Sequence, residues 1–480
     1  MKYKHALFLN PYVESSSTSI MGIFPPTGLE YVATSAKDYV QKVTLLDLRY
    51  EKELAGKDKL LDFIRKNNVD ILCISIVWDR QFQEICSLLN YMPDEIPLVV
   101  GGYKATLEVE KLLQPCSKID IVVRGEGEET IKDIMKDLSL EDIQGISYRL
   151  NGKIQHTKTR PLCSVDDISY PDRSLRRVKY RIALNGVDMT KLTFDTVLSA
   201  RGCPNDCKFC TFKLNPLGQK RNYSTRQVES VVNEIQNLDA EAILFSDDNF
   251  FSNIKRAERI CDLLIERKVK KRFFAQARIE IANHPHLLEK IVKVGFKLLL
   301  LGIESPHDHI LAQLNKGFDS FAIRRSFEVL RRYPIYYHGY FIYGNINETE
   351  DEMLYIAKFA REIGVDSITF QKLRIEKFSG LKNLAESTPG YHVTDRGELY
   401  SDKYSHAALK RIGRKIKFFF YTPFRLLRIV KKALSVGLLT FREIVCFFTL
   451  SPRLLKGLIN RELEKKRLKD SLKRIFIKNN

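Results

Sequence analysis

The chain has 480 residues, 44% of them hydrophobic, with nine cysteines and 78 Lys and Arg against 59 Asp and Glu. That apolar content supports about two to four domains with real cores and excludes a disordered chain. The odd, sparse cysteine count and the lack of a secretory pattern at the N-terminus argue against a disulfide scaffold and for a cytoplasmic, reducing setting. The net charge of +19 is not spread evenly. From Lys410 to Asn480 twenty Lys and Arg face four acids, a net +16, which leaves +3 for everything before.

Residues 1–150 alternate short apolar strands with helical patterns. Ala6–Leu9 ends at Asn10-Pro11, Val43–Leu46 at Asp47, Ile71–Val77 at Trp78, Leu98–Val100 at Gly101-Gly102, and Ile119–Val123 at Arg124-Gly125-Glu126-Gly127-Glu128. This pattern predicts a doubly wound, Rossmann-like α/β sheet, whose ligands lie beyond the carboxyl ends of its strands. Gly101, Gly102, Gly125 and Gly127 there let the backbone approach a flat or anionic ligand. Asn10-Pro11, Pro25–Tyr31, Gly101-Gly102-x-x-x-Thr106 and Arg124–Glu128 resemble, in order, the cobalamin-binding domain of a large enzyme subclass. The resemblance implies a bound corrin. The D-x-H-x-x-G motif of other B12 proteins is absent, and His5 is the only histidine before residue 150. Tyr103-Lys104-Ala105 stands where relatives often carry His-Pro. Trp78, the only tryptophan, either covers a corrin face or packs in the core.

A connector, residues 151–190, carries the proline-marked hinge Ile168–Arg173. Six strand-then-helix units follow, with strands expected at Thr196–Ser199, Ala242–Phe245, Arg272–Gln276, Leu298–Leu301, Tyr336–Ile342 and Ser367–Leu373. Directly after the first comes Arg201-Gly202-Cys203-Pro204-Asn205-Asp206-Cys207-Lys208-Phe209-Cys210, three cysteines spaced C-x3-C-x2-C. Three thiolates so close can hold a cubane iron–sulfur cluster by three irons and leave the fourth open. Structural zinc normally takes four ligands, and neither histidine nor a fourth cysteine lies near. The six other cysteines sit singly, as small core hydrophobes do.

The triplet, with Phe209 before its last cysteine, resembles the radical S-adenosylmethionine (SAM) superfamily, in the subclass with an N-terminal cobalamin-binding domain. That resemblance implies a 4Fe–4S cluster on Cys203, Cys207 and Cys210, SAM on the open iron, and cleavage to a 5′-deoxyadenosyl radical. It also implies a partial (β/α)6 TIM-type barrel, with its chemistry at the carboxyl ends of the strands. There the second strand ends in Asp247-Asp248-Asn249, suited to the SAM ammonium and equally to capping a helix. The third ends at Arg278, which relatives aim at the SAM carboxylate or ribose. The fourth ends in Gly302-Ile303-Glu304-Ser305, a close match to the family's G-I-E-S, and the fifth leads to Gly344 and Glu348-Thr349. Lys377–Leu381 replaces the Pro-Gly-Thr of many relatives. His338 on the fifth strand is either a proton carrier or a satisfied barrel histidine, and no catalytic side chain is assigned.

The organisation expected is a domain at 1–150, the connector, a radical SAM core at 191–400 and a basic amphipathic helical tail at 401–480. The tail mixes Lys and Arg with Phe, Leu and Ile. It reads as a helical layer packed on the barrel, as a membrane-surface contact through residues 410–480, or, less readily, as an RNA contact. The resemblance implies methyl transfer to an unactivated carbon of a lipid or natural product, with a flavodoxin or ferredoxin as reductant. Radical cyclisation or rearrangement is the alternative. Methylthiolation of RNA or protein is disfavoured, because no second cysteine triplet precedes residue 203.

Overall fold

The computed structural model describes residues 2–12, 21–22, 24–77, 81–184, 187–210, 214–446 and 449. Trp78 lies outside them, as do residues 451–480 of the tail. The chain forms two compact units. Of the described residues, one comprises those up to 163, 167–195 and 441–449; the other comprises 164–166 and 196–440.

In the first unit, strands β1 (His5–Asn10), β2 (Lys42–Asp47), β3 (Ile71–Ser75), β4 (Leu98–Gly101) and β5 (Ile121–Val123) run parallel in the order β2-β1-β3-β4-β5. Side chains alternate along β1. Leu7 and Leu9 pack with α2 (Lys57–Lys66) and α3 (Phe82–Leu89), while Ala6 and Phe8 pack with α1 (Thr27–Ala36) and α4 (Glu128–Met135). Burial on both faces explains the unbroken apolar runs. The sheet is doubly wound as expected, and its order reverses beside β1, where such sheets hold ligands.

The connector is not a free linker. β6 (Ile146–Leu150) and β7 (Lys153–His156) extend the sheet as an antiparallel hairpin, so a boundary at 150 falls at its turn. Further on, Arg176 forks between two buried carboxylates. It donates to both oxygens of Glu30, at 2.5 and 2.8 Å, and to both of Asp195, at 2.6 and 2.9 Å.

Gly102 shows what the strand ends demand. Its φ is +104°, and a Cβ there would lie 2.7 Å from the Ile76 carbonyl oxygen. Gly102→Ala should cost this unit about 1–3 kcal/mol, read as a lower urea midpoint.

β8 (Val187–Val197) carries the chain into the second unit, where Val197 accepts from the Ser246 N–H at 2.9 Å. β9 (Ala242–Phe245), β10 (Arg272–Ala277), β11 (Phe296–Glu304), β12 (Tyr336–Tyr343) and β13 (Ser367–Lys372) follow in parallel, each paired with the next. Four of these match the expected strands within one residue, and β11 runs past its expected Leu298–Leu301 at both ends, whereas the strand expected at Thr196–Ser199 is the end of the longer β8 and stops at Val197. Leu299, Leu301, Ile303, Tyr337, Phe341 and Tyr343 point outward into the helical layer. Alternation therefore aims Gln276, Leu300, Gly302, His338, Tyr340 and Gln371 into the lumen.

Among the outer helices, α5 (Glu350–Ile363) starts at a capping box of Thr349 and Glu352 and stops at left-handed Gly364. The tail belongs partly to this layer. α6 (His406–Phe420) buries Leu409, Ile412, Ile416 and Phe420 in the barrel core. α7 (Pro423–Ser435) seats Ala433, followed by Val436, against Tyr336 and Leu298 near the amino ends of the strands. Of the readings the tail's sequence left open, the described helices take that of a layer packed on the barrel.

Candidate active site

The cysteine loop is tied down from three directions. Lys208 donates its N–H to Leu314 O at 3.0 Å, and Asn315 donates to Asp206 O at 2.6 Å. The Gly380 N–H and the Ser379 hydroxyl both donate to Lys208 O, at 3.0 and 3.1 Å. Gly380 sits so close that a Cβ would be 3.1 Å from Lys208 Cγ. The Lys377–Leu381 segment, which departs from the family pattern, therefore serves here as a clamp on the thiol loop.

Cys203, Cys207 and Cys210 are partly exposed and none is in a disulfide. Asn205 Nδ2 donates to Cys203 Sγ at 3.2 Å, and Arg278 Nη1 to Cys207 Sγ at 3.5 Å. Such donors to the sulfurs would raise the reduction potential of a cluster held there. Among the described residues, no three His, Cys, Asp or Glu converge tightly enough for a single ion. Three soft thiol donors on one short loop suit a polynuclear cluster with an open iron better than four-coordinate structural zinc.

Arg278, at the end of β10, is held by Glu280 Oε1, which accepts from Nε at 3.0 Å and Nη2 at 2.7 Å. It also donates to Lys316 O and lies over the Phe318 ring. Beside it Lys316 Nζ pairs with Glu304 Oε1 at 3.0 Å, both side chains under 9% exposed, with the Phe209 ring centroid 5.8 Å from the ammonium. Cys207, Phe209, Arg278, Glu304 and Lys316 thus form one constellation. Sequence reasoning missed Lys316, which stands outside every motif.

The G-I-E-S residues are placed for internal reasons as well. A Cβ on Gly302 would fall 2.8 Å from Glu304 Oε1 and 2.9 Å from Lys316 Nζ, so this glycine makes room for the ion pair. Glu304 itself holds a left-handed backbone at φ +69°, a strained position of the kind that clusters at functional sites. Ser305 is fully buried, and its Oγ accepts from the His307 N–H at 3.1 Å.

The structure divides the Asp247-Asp248 pair. Asp247 is buried and accepts from the Ser199 N–H at 2.6 Å and the Ser199 hydroxyl at 2.5 Å. Burial and the adjacent Asp247 push Asp248 up to about 6, against the pull of Arg221 and the Gly202 N–H. Capping falls to Asn249, whose side chain accepts from the Phe251 N–H at 3.3 Å. Asp248 is the carboxylate of the pair left to meet an ammonium.

Two further positions resolve toward structure. Gly344, at φ +71°, faces Leu409, whose Cδ2 would lie 3.1 Å from a Cβ. The glycine therefore seats α6. His338 bonds Ser367 Oγ at 2.7 Å and Thr369 Oγ1 at 2.9 Å, and burial lowers its pKa to about 4. It is a neutral barrel histidine at ordinary pH.

Glu348 has a different signature. One oxygen accepts from the Asn345 N–H and side-chain amide at 2.9 and 3.0 Å, the other is buried without a partner, and burial pushes its pKa up to about 7. The fold binds this proton more tightly than the unfolded chain does. Its contribution to stability is therefore full below the ordinary Glu range and lost as pH rises through about 7. Glu348→Gln should flatten the fall in melting temperature between about pH 5 and 8 in calorimetry.

In the first unit, Gly102 and Gly125 (φ +83°) turn at neighbouring strand ends. Thr106 Oγ1 links them, accepting from the Gly125 N–H and donating to Gly102 O, each at 3.0 Å. Gly101 meets only an ordinary contact with Val123, and Gly127 packs α4 against Val32 of α1. His5 lies at the amino end of β1, its ring nitrogens bonded to Asn67 O and Thr44 Oγ1. It is at the wrong edge of the sheet to meet a corrin. The glycine turns at the carboxyl edge fit a flat ligand that takes no histidine from residues 1–150.

A doubly wound unit of this kind, joined to a half-barrel carrying a thiol triplet, defines a cobalamin-binding radical SAM enzyme. The family described as "B12 binding domain" matches residues 17–135, and "Radical SAM superfamily" matches residues 197–360. The chain belongs to this family, and its cofactors are a 4Fe–4S cluster, SAM and cobalamin. It is 30% identical over 387 residues to the uncharacterized methyltransferase PH0819 of Pyrococcus horikoshii, covering 77% of this chain and 80% of that one. It is 24% identical to the anaerobic magnesium-protoporphyrin IX monomethyl ester cyclase of Cereibacter sphaeroides, covering 72% of this chain and 58% of the other. The radical SAM methyltransferase TsrM of Kitasatospora setae, solved with cobalamin and a 4Fe–4S cluster, shares the fold. Its TM-score is 0.69 at 14% identity, covering 88% of this chain and 90% of TsrM.

Proposed function

We propose that this enzyme methylates an unactivated carbon of a lipid or natural-product substrate. The observation that carries the reading is the convergence of Cys207, Arg278 and the Glu304–Lys316 pair at the rim of the barrel lumen, in a chain that also has a corrin-binding unit. When bound, the cluster with SAM supplies a 5′-deoxyadenosyl radical that removes a hydrogen atom, and cobalamin supplies the methyl group.

The chain's own residues bind and orient. Cys203, Cys207 and Cys210 would hold the cluster, while Arg278 keeps a donor on the Cys207 sulfur. Asp248 accepts from the SAM ammonium, and Glu304, fixed by Lys316, accepts from ribose or amine. Gln276, Tyr340 and Gln371 line the lumen where the reacting carbon enters. A flavodoxin or ferredoxin serves as reductant.

The cyclase relative favours a second reading, radical ring formation. One experiment separates the two. The holoenzyme is incubated anaerobically with reductant, lipid extract and SAM carrying a deuterated methyl group. A product bearing that methyl supports the proposal. Formation of 5′-deoxyadenosine with a dehydrogenated or cyclised product and no methyl uptake overturns it in favour of cyclisation.

A further inference from the structure

α6 and α7 each bury one face and leave the other without a protein partner among the described residues. Leu409, Ile412, Ile416 and Phe420 of α6 are in the core, yet Phe418 is 77% exposed and Phe419 46%. After the turn, Phe424 is 87% exposed and Leu427 70%. All four flank the one turn that joins the two helices: Phe418 and Phe419, their ring centroids 6.0 Å apart, close α6, while Phe424 and Leu427 open α7. Large aromatics left this bare are costly in water unless something covers them.

The surrounding charge says what covers them. Between Lys403 and Thr440 the chain has ten Lys and Arg and neither Asp nor Glu. Lys415 is taken by Glu350 at 2.7 Å, and Arg425 is buried, donating to Val365 O. Lys410, Arg411, Arg414, Lys417, Arg428 and Lys431 remain exposed on the same two helices. An aromatic corner flanked by cations that outnumber the neighbouring Glu350 and Asp366 matches the interface of an anionic bilayer, with rings at the acyl boundary and cations among phosphates. A protein partner of matching acidic charge would meet the cations but leave the rings unexplained unless it also offered an apolar pocket. RNA would stack isolated rings, whereas here Phe418, Phe419 and Phe424 are grouped with Leu427. No helix among the described residues is long and apolar enough to cross a membrane, so the contact is peripheral.

We infer that the corner formed by Phe418, Phe419, Phe424 and Leu427, with the flanking Arg428 and Lys431, docks the enzyme on the surface of an anionic phospholipid bilayer. The surface is independent of which carbon the enzyme methylates.

The test is flotation of the full-length holoenzyme with vesicles of phosphatidylcholine alone or with phosphatidylserine. Truncation at residue 410 would strip Ile412, Ile416 and Phe420 from the core, so point substitutions are used. Wild type should float with the phosphatidylserine vesicles and be released by high salt. Phe418→Ser/Phe424→Ser/Leu427→Ser should lower the partition coefficient at least ~10-fold. Arg428→Glu/Lys431→Glu should abolish the preference for phosphatidylserine, and unchanged iron content and melting temperature confirm that both variants fold. Wild type that stays at the bottom of the gradient overturns the inference. So does a triple-serine variant that floats like wild type, or retention on RNA in place of vesicles.

Discussion

The Cys207→Ala protein, reconstituted anaerobically with iron and sulfide, should produce no 5′-deoxyadenosine above background while wild type does. The loop offers three thiols and nothing nearby replaces one. Cys261 is fully buried in the barrel's helical layer, and burial raises its thiol pKa to about 12, so it presents no thiolate to the loop. Losing one of three ligands also leaves Arg278 Nη1 without its acceptor at 3.5 Å. Bound iron per chain should fall along with turnover. A Cys207→Ala protein that retains full iron and still cleaves SAM would place the cluster elsewhere.

Lys316→Met should be the most damaging substitution of a residue outside the sequence motifs. It strands Glu304 in a site where both partners are less than 9% exposed. Breaking a buried pair from one side costs about 3–5 kcal/mol, because the remaining charge keeps its desolvation penalty without its partner. The Glu304→Gln/Lys316→Met double variant removes both charges and should recover most of that stability. If Glu304 accepts from SAM as proposed, the double variant should not recover SAM binding, since that carboxylate is gone. Urea unfolding and equilibrium dialysis with SAM separate the two effects. A single variant as stable as wild type would mean that the pair does not hold Glu304 in place.

The strands and the thiol triplet were legible because each is written locally. Apolar runs such as Ile71–Ser75 and Leu298–Leu301 are buried on one face or both, and the three cysteines lie within eight consecutive residues. What escaped depends on long-range partners. Arg176 reads as a linker residue until Glu30, 146 positions away, closes on it. Gly302 reads only as the head of the G-I-E-S motif, yet the space it leaves is taken by an ion pair whose lysine is 12 residues from its glutamate. The tail was ambiguous for a geometric reason. Phe418 and Phe420 sit two positions apart on one helix, hence on nearly opposite faces, and composition cannot say that the first faces out and the second in. Asp247-Asp248 looked like a matched pair, but only tertiary contact with Ser199 marks Asp247 as the structural member.

The measurement that tests the central claim most directly is iron, sulfide and cobalt per chain, with an optical spectrum, after anaerobic purification from cells supplied with cobalamin. The account predicts about four irons and four sulfides with stoichiometric cobalt, the iron dependent on the three loop cysteines. Protein that takes up neither iron nor cobalt under these conditions, or that binds one zinc at the triplet, would contradict it.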